Sequence, residues 1–131
     1  MESTDMDPAA LALTAALIAD RSAAELGAAW LDSHYSDWTD RFDSDSLQMQ
    51  NATECVAAQV IPPERLDVVR SGYWRLTREQ GTLWAQAHGF CLLSANEHES
   101  WVDRDARWAA LADAWRDLAA ARRRLGTSRD E

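Results

Sequence analysis

Apolar positions recur along this chain with a helical period almost throughout. Leu11, Ala15 and Ile18 share one face of a helix expected over about Pro8 to Ala19. Asp7 suits its N-cap and Pro8 its first turn. Ser22-Ala-Ala-Glu25 reads as a capping box. It favours a break and a second helix carrying Leu26, Ala29 and Trp30 to about His34, although one continuous helix also fits. Residues 32–46 are polar, with a short helical turn expected around Trp38–Phe42. Leu47 and Met49 then alternate with Gln48 and Gln50, as in a brief extended piece.

Asn51-Ala-Thr-Glu54 is a second capping box, opening a helix with Cys55, Val56, Gln59 and Val60 that Pro62-Pro63 stops. Pro63 is expected to start another helix, with Leu66, Val69, Tyr73 and Leu76 in phase and Gly81 as its stop. A short helix of Leu83, Trp84, Ala87 and His88 ends at Gly89, and Phe90, Leu92 and Leu93 form an apolar strap. From Asn96-Glu-His-Glu99, or from Ser100 one turn later, a long helix runs to about Leu125 and ends at Gly126.

That last helix has the strongest pattern. Trp101, Trp108 and Trp115 recur every seven residues, and Leu111, Leu118 and Leu125 follow the same interval. The stripe suits a central core helix packed by the shorter ones, and this is the favoured reading. A homodimer seam through Trp101, Trp108, Leu111, Trp115 and Leu118 is the alternative. Asp103 with Arg107 and Asp113 with Arg116 are expected outer-face charge pairs. Arg122, Arg123 and Arg124 are expected at the negative end of the helix dipole. The pattern predicts an all-α fold over residues 1–131: a single-domain bundle of five or six helices around a long C-terminal helix, with 1–7 and 126–131 frayed.

Composition refines this picture. Apolar residues make up 47% of the 131 and charged residues 27%, as in a globular domain. The longest uncharged apolar run, Pro8 to Ala19, is too short to cross a bilayer, so a cytoplasmic protein is expected. Two cysteines are too few for a disulfide scaffold. All thirteen basic side chains are arginine, which excludes lysine Schiff-base or P-loop lysine chemistry. Seven tryptophans supply a large buried area.

The net charge is −9, and residues 1–61 hold the whole excess: eleven acids against Arg21 and Arg41. Residues 62–131 balance eleven acids with eleven arginines. That field repels nucleic acid and anionic lipid, and suits a basic protein partner. The densest part is Asp32, Asp37, Asp40, Asp43 and Asp45, with Trp38 and Phe42 as candidate aromatic anchors. The competing reading turns both rings into the core and leaves the aspartates to cap helix ends.

The motifs of chemistry are weak. Counted from Asp43, the positions of Asp45, Asn51 and Glu54 mimic an EF-hand, but Leu47 and Gln48 fall where the loop needs an oxygen ligand and a glycine. No metal site and no cofactor are expected. Cys55, Gln59, Trp84 and His88 are the candidates for a small-molecule pocket, and no catalytic residue is assigned. Cys55 lies on an apolar helix face, where a thiol usually acts as a small hydrophobe.

The residues Gly27-Ala-Ala-Trp30-Leu31-Asp32, Trp38, Phe42 with Leu47 and Met49, Cys55-Val56-Ala57-Ala58-Gln59, Gly89-Phe90, and Leu111 with Trp115-Arg116 and Arg122-Arg123 stand in order over about residues 26–124. In this the chain resembles a family of short uncharacterised proteins from actinobacteria and their phages. It departs from their pattern at Ala57-Ala58, where they favour Leu-Gly, and at Ser36-Asp37, where they favour Pro-Gly. The resemblance implies a phage-type accessory protein that binds a host or phage protein rather than an enzyme. A small-molecule binder or enzyme is the alternative.

Overall fold

The computed structural model describes residues 8–49, 51, 54–62, 64–65, 69–70, 72–92 and 100–129. The fold is all-α. Six helices follow in order: α1 Pro8–His34, α2 Trp38–Arg41, α3 Val56–Val60, α4 Gly72–Gln80, α5 Thr82–Ala87 and α6 Trp101–Arg129. Between α3 and α4, β1 Glu64–Arg65 and β2 Val69–Arg70 form a two-residue antiparallel ribbon, Glu64 opposite Arg70. The long C-terminal helix is the spine, and α1 makes the most extensive packing against it.

α1 begins at Pro8, as its restricted φ favours. Its N-cap candidate, Asp7, lies outside the described residues. The expected break at Ser22 is absent, and α1 continues for 27 residues. A capping box satisfies a local preference of about 1 kcal/mol. Continuing the helix buries Ala24, Ala28 and Leu31 and keeps Ser22 and Glu25 on the exposed side. Leu11, Ile18 and Leu26, expected on inward faces, are exposed instead.

α1 and α6 run parallel, since Asp20 meets Arg107 and, further along both helices, Asp32 meets Arg122. The Asp20–Arg107 pair is bidentate at 2.9 and 3.0 Å and buried. This corrects the expected Asp103–Arg107 surface pair: Arg107 turns inward to the buried carboxylate. Asp113 and Arg116 do pair, at 2.9 Å. The close packing of α1 needs small residues. A Cβ at Gly27 would collide with the His88 carbonyl oxygen, and one at Gly89, whose φ is +74°, would strike the backbone of Ala24.

The core is one cluster that gathers Leu31, Trp38, Phe42, Val56, Val60, Leu76, Phe90, Leu111, Trp115 and Leu118. Trp115 stands at its centre, 5.7 Å from the Trp38 ring and 5.4 Å from Phe90, and its indole N–H donates to the Gly89 carbonyl at 2.7 Å. Leu111, Trp115 and Leu118 are thus buried within the chain and unavailable for a dimer seam, whereas Trp108 is half-buried and Trp101 and Leu125 are exposed. The stripe runs past the stretch of α6 that the other elements cover.

Three further expectations change. The helix predicted from Pro63 starts only at Gly72; Leu66 lies outside the described residues and Val69 sits in the ribbon. Asn51 and Glu54 close a turn rather than cap a helix, with Cys55 N–H donating to the Asn51 carbonyl at 2.9 Å, and α3 starts at Val56. At the other end, Ser100 caps α6: its Oγ accepts the Asp103 N–H at 3.1 Å. Asn96–Glu99 and Leu93 lie outside the described residues, as do residues 1–7 and 130–131 of the expected frayed ends. Gly126 does not end α6, which reaches Arg129. Among the described residues the glycines with positive φ are Gly81 and Gly89, so Gly126 lacks the left-handed turn of a stop.

Candidate functional site

The acid-rich stretch is bound to the body from below. Asp32 accepts Nε and Nη2 of Arg122 at 2.9–3.0 Å and the Trp38 indole N–H at 3.0 Å. Burial pushes its carboxyl up, but the hydrogen bonds from Arg122 and Trp38 and the Arg122 charge outweigh this and hold it below the usual range. Arg123 donates to the carbonyls of Thr39 and Phe42, and Arg116 to that of Ser44 at 3.2 Å. Because α6 runs on to Arg129, Arg122 and Arg123 are not its last turn. They tie the loop to the spine.

Trp38 and Phe42 are buried, 0% and 3% exposed, and are not partner anchors. A large aromatic gains more from leaving water than the short loop gains by presenting it. The aspartates divide by role. Asp37 pairs with Arg41 at 3.1 Å. Asp43 closes its own turn, accepting Asp45 N–H at 3.0 Å and the Ser46 hydroxyl at 2.9 Å. The carboxylates of Asp40 and Asp45 are exposed and engage no side chain among the described residues.

Each of the pocket candidates makes contacts within the fold. Gln59 uses its whole amide: Oε1 accepts Asp43 N–H at 2.6 Å, and Nε2 donates to the carbonyls of Asp43 and Glu54 at 3.2 Å. Cys55 is buried, and burial pushes its thiol up to about 11, so it stays protonated and inert at neutral pH. Cys91 is raised by burial as well. Trp84 stacks on His88 with centroids 3.9 Å apart, meets Trp30 edge-on at 5.0 Å, and lies 5.9 Å from Phe90. His88 Nδ1 is 2.8 Å from the Trp84 carbonyl. Trp30 and His34 repeat the arrangement at the end of α1, stacked at 4.5 Å. Among the described residues no group of three or more His, Cys, Asp or Glu could hold a metal.

The structure adds a feature that the sequence reading missed. An open groove of about 380 Å³ runs between Leu47–Met49 and one stripe of α6. Leu47, Met49 and Ala112 form its apolar floor, Trp108 and Ala109 stand along it, and Asp105, Asp113 and Arg116 carry its charge. The stripe was visible as helical spacing, one residue or pair per turn from Asp105 to Arg116. Its opposite wall was not, because only folding brings Leu47–Met49 beside α6. The groove's far end adjoins the acid-rich loop through the Arg116–Ser44 bond.

Among the described residues no helix is long and apolar enough to cross a membrane. Comparison with protein-family models, with curated proteins and with solved structures returns no match.

Proposed function

We propose that this chain is a small acidic helical module that binds a basic region of another protein, in the manner of a phage or prophage accessory protein that engages a host or phage protein. The groove between Leu47–Met49 and α6 carries this reading, because it joins an apolar floor and a half-buried tryptophan to an excess of negative charge. Asp40 in α2 and Asp45 on the adjoining loop extend that field, with exposed carboxylates that engage no side chain among the described residues. Trp108 takes the anchor role that Trp38 and Phe42 cannot fill. The resemblance to short actinobacterial and phage proteins points the same way. The pocket reading has less behind it, since the Gln59 amide is taken up by the backbone, Cys55 is buried, and Trp84 and His88 stack on each other.

The reading is tested by capture from bacterial lysate with three proteins: the native chain, Asp105→Arg and Ala109→Trp. Both substituted positions are exposed, so both variants are expected to fold. A basic protein retained by the native chain, released as salt rises, and lost with both variants is the expected result. Retention that ignores both salt and the groove substitutions contradicts it.

A further inference from the structure

The outer face of α1 is almost free of charge. The acids and arginines of this helix are Asp20, Arg21, Glu25 and Asp32. All but Glu25 turn to α6: Asp20 to Arg107, Asp32 to Arg122, and Arg21 to Asp117 at 3.3 Å. On the opposite side Leu11, Ile18 and Leu26 are 50%, 64% and 57% exposed, with Ala15, Ala19 and Ser22 exposed between them. Thr14, at the edge of this face, donates its hydroxyl to the Ala10 carbonyl at 2.9 Å. A surface helix ordinarily turns charged and polar residues outward.

The order of residues on the face is its own complement. Consider two copies of α1 set antiparallel about a two-fold axis between Ile18 and Ala19. Leu11 of one copy then stands opposite Leu26 of the other, Ala15 opposite Ser22, and Ile18 opposite Ala19. Exposed positions meet exposed positions along the whole contact. Leucines close its two ends, and the small residues near the axis leave room for Ile18 and let the backbones approach. With roughly 100 Å² exposed on each large side chain and about half that on each small one, the two faces together cover on the order of 1,000 Å², the lower limit of a specific interface.

Charge favours the same arrangement. Elsewhere the net charge of −9 makes copies of the chain repel. Here Glu25 stands opposite Ala12 of the second copy, and the two Glu25 residues lie about 20 Å apart along the axis, twice the ~10 Å screening length at 0.1 M salt. The face offers no basic side chain to an anionic lipid surface, because Arg21 is turned to Asp117.

We propose that the outer face of α1 pairs with the same face of a second copy, as an antiparallel helix pair about a two-fold axis. The pairing is independent of the groove reading. It leaves α6 on the far side of α1, so a dimer carries two open grooves.

Sedimentation equilibrium of the full chain tests the pairing. The mean mass should rise from the 14.7 kDa of one chain toward twice that value as concentration goes from about 1 to about 500 μM. Ile18→Arg changes an exposed residue and sets two guanidinium groups together at the axis. It should hold the chain at one copy over the whole range, with circular dichroism unchanged. Leu11→Glu alone and Leu26→Arg alone should each weaken the dimer by about tenfold or more. Both changes in one chain should restore it, because each new carboxylate then meets a new guanidinium of the second copy. A native chain that keeps the mass of one copy at the highest concentration overturns the proposal, as does a dimer indifferent to Ile18→Arg. A dimer lost with either single change at the ends but not restored by the pair of changes overturns it as well.

Discussion

Trp115 concentrates the fold in one side chain. Its ring is fully buried, its N–H is satisfied at 2.7 Å, and its six-membered edge lies against Gly27. Trp115→Ala is expected to cost roughly 3–5 kcal/mol, through lost burial and the cavity left behind. A urea melt reads this as a lower midpoint at unchanged slope, and a loss under about 1 kcal/mol would show a site that collapses freely. Cys55 is the opposite kind of residue, apolar in effect. With its thiol raised to about 11, alkylation at neutral pH should be slow while the chain is folded and fast in denaturant. Cys55→Ser should destabilise by about 1–3 kcal/mol, because a hydroxyl replaces a thiol in an apolar site. Rapid labelling of the folded chain at Cys55 would contradict its burial. Asp32 links charge to stability. Its folded carboxyl is depressed, so its contribution is present above the unfolded value near 3.9 and fades as pH falls through the lower folded one. Asp32→Asn should therefore flatten the acid limb of the stability curve below about pH 4. The effect should be small, since the side chain is 46% exposed.

Among the elements, α1 shows how local signals yield to packing. The capping box at Ser22 is genuine chemistry, but it competes with burial of a continuous inner face, and the inner face wins. The Asp20–Arg107 pair then locks the α1–α6 register. Asp20→Leu takes the bidentate carboxylate away from a buried guanidinium, so alone it should cost about 3–5 kcal/mol. The double change Asp20→Leu with Arg107→Met should recover most of that, as measured by a double-mutant cycle in urea. Additive losses would show that the two side chains do not act as a pair. The ribbon before α4 has a geometric origin. Gly72 brings its backbone against the carbonyls of Ala57 and Ile61. A straight helix from Pro63 would carry residue 72 about 13 Å away from that point. The chain has to turn back, so β1 and β2 replace the first turns of the predicted helix.

For the whole molecule, the charge distribution matters more than the sum of −9. Arg116, Arg122 and Arg123 of the balanced half reach into the acid-rich front half and bind its carbonyls and Asp32. Part of the predicted acidic face is thereby neutralised within the fold. Asp40 in α2 and Asp45 on the loop after it remain open to solvent. Asp40→Asn with Asp45→Asn should leave the unfolding free energy within about 0.5 kcal/mol of native, as read from a urea melt. It should also slow association with a basic partner and reduce the salt dependence of that rate, as followed by stopped-flow. Unchanged kinetics would make this surface a solvated face without a role in encounter.

The helical class, the long C-terminal helix and the core roles of Leu111, Trp115 and Leu118 were legible in the sequence, because each rests on periodicity within one segment. The short helix at Trp38 and the stops at Gly81 and Gly89 were legible for the same reason. Tertiary structure decided the rest. Whether α1 breaks, which acid Arg107 meets, and where Trp38 and Phe42 point depend on competition between distant surfaces, which no local pattern records. The groove belongs wholly to that second group. Its α6 wall is written as spacing from Asp105 to Arg116, but its other wall comes from Leu47–Met49, more than fifty residues earlier in the chain. A binding surface built from two segments exists only once the core has brought them together.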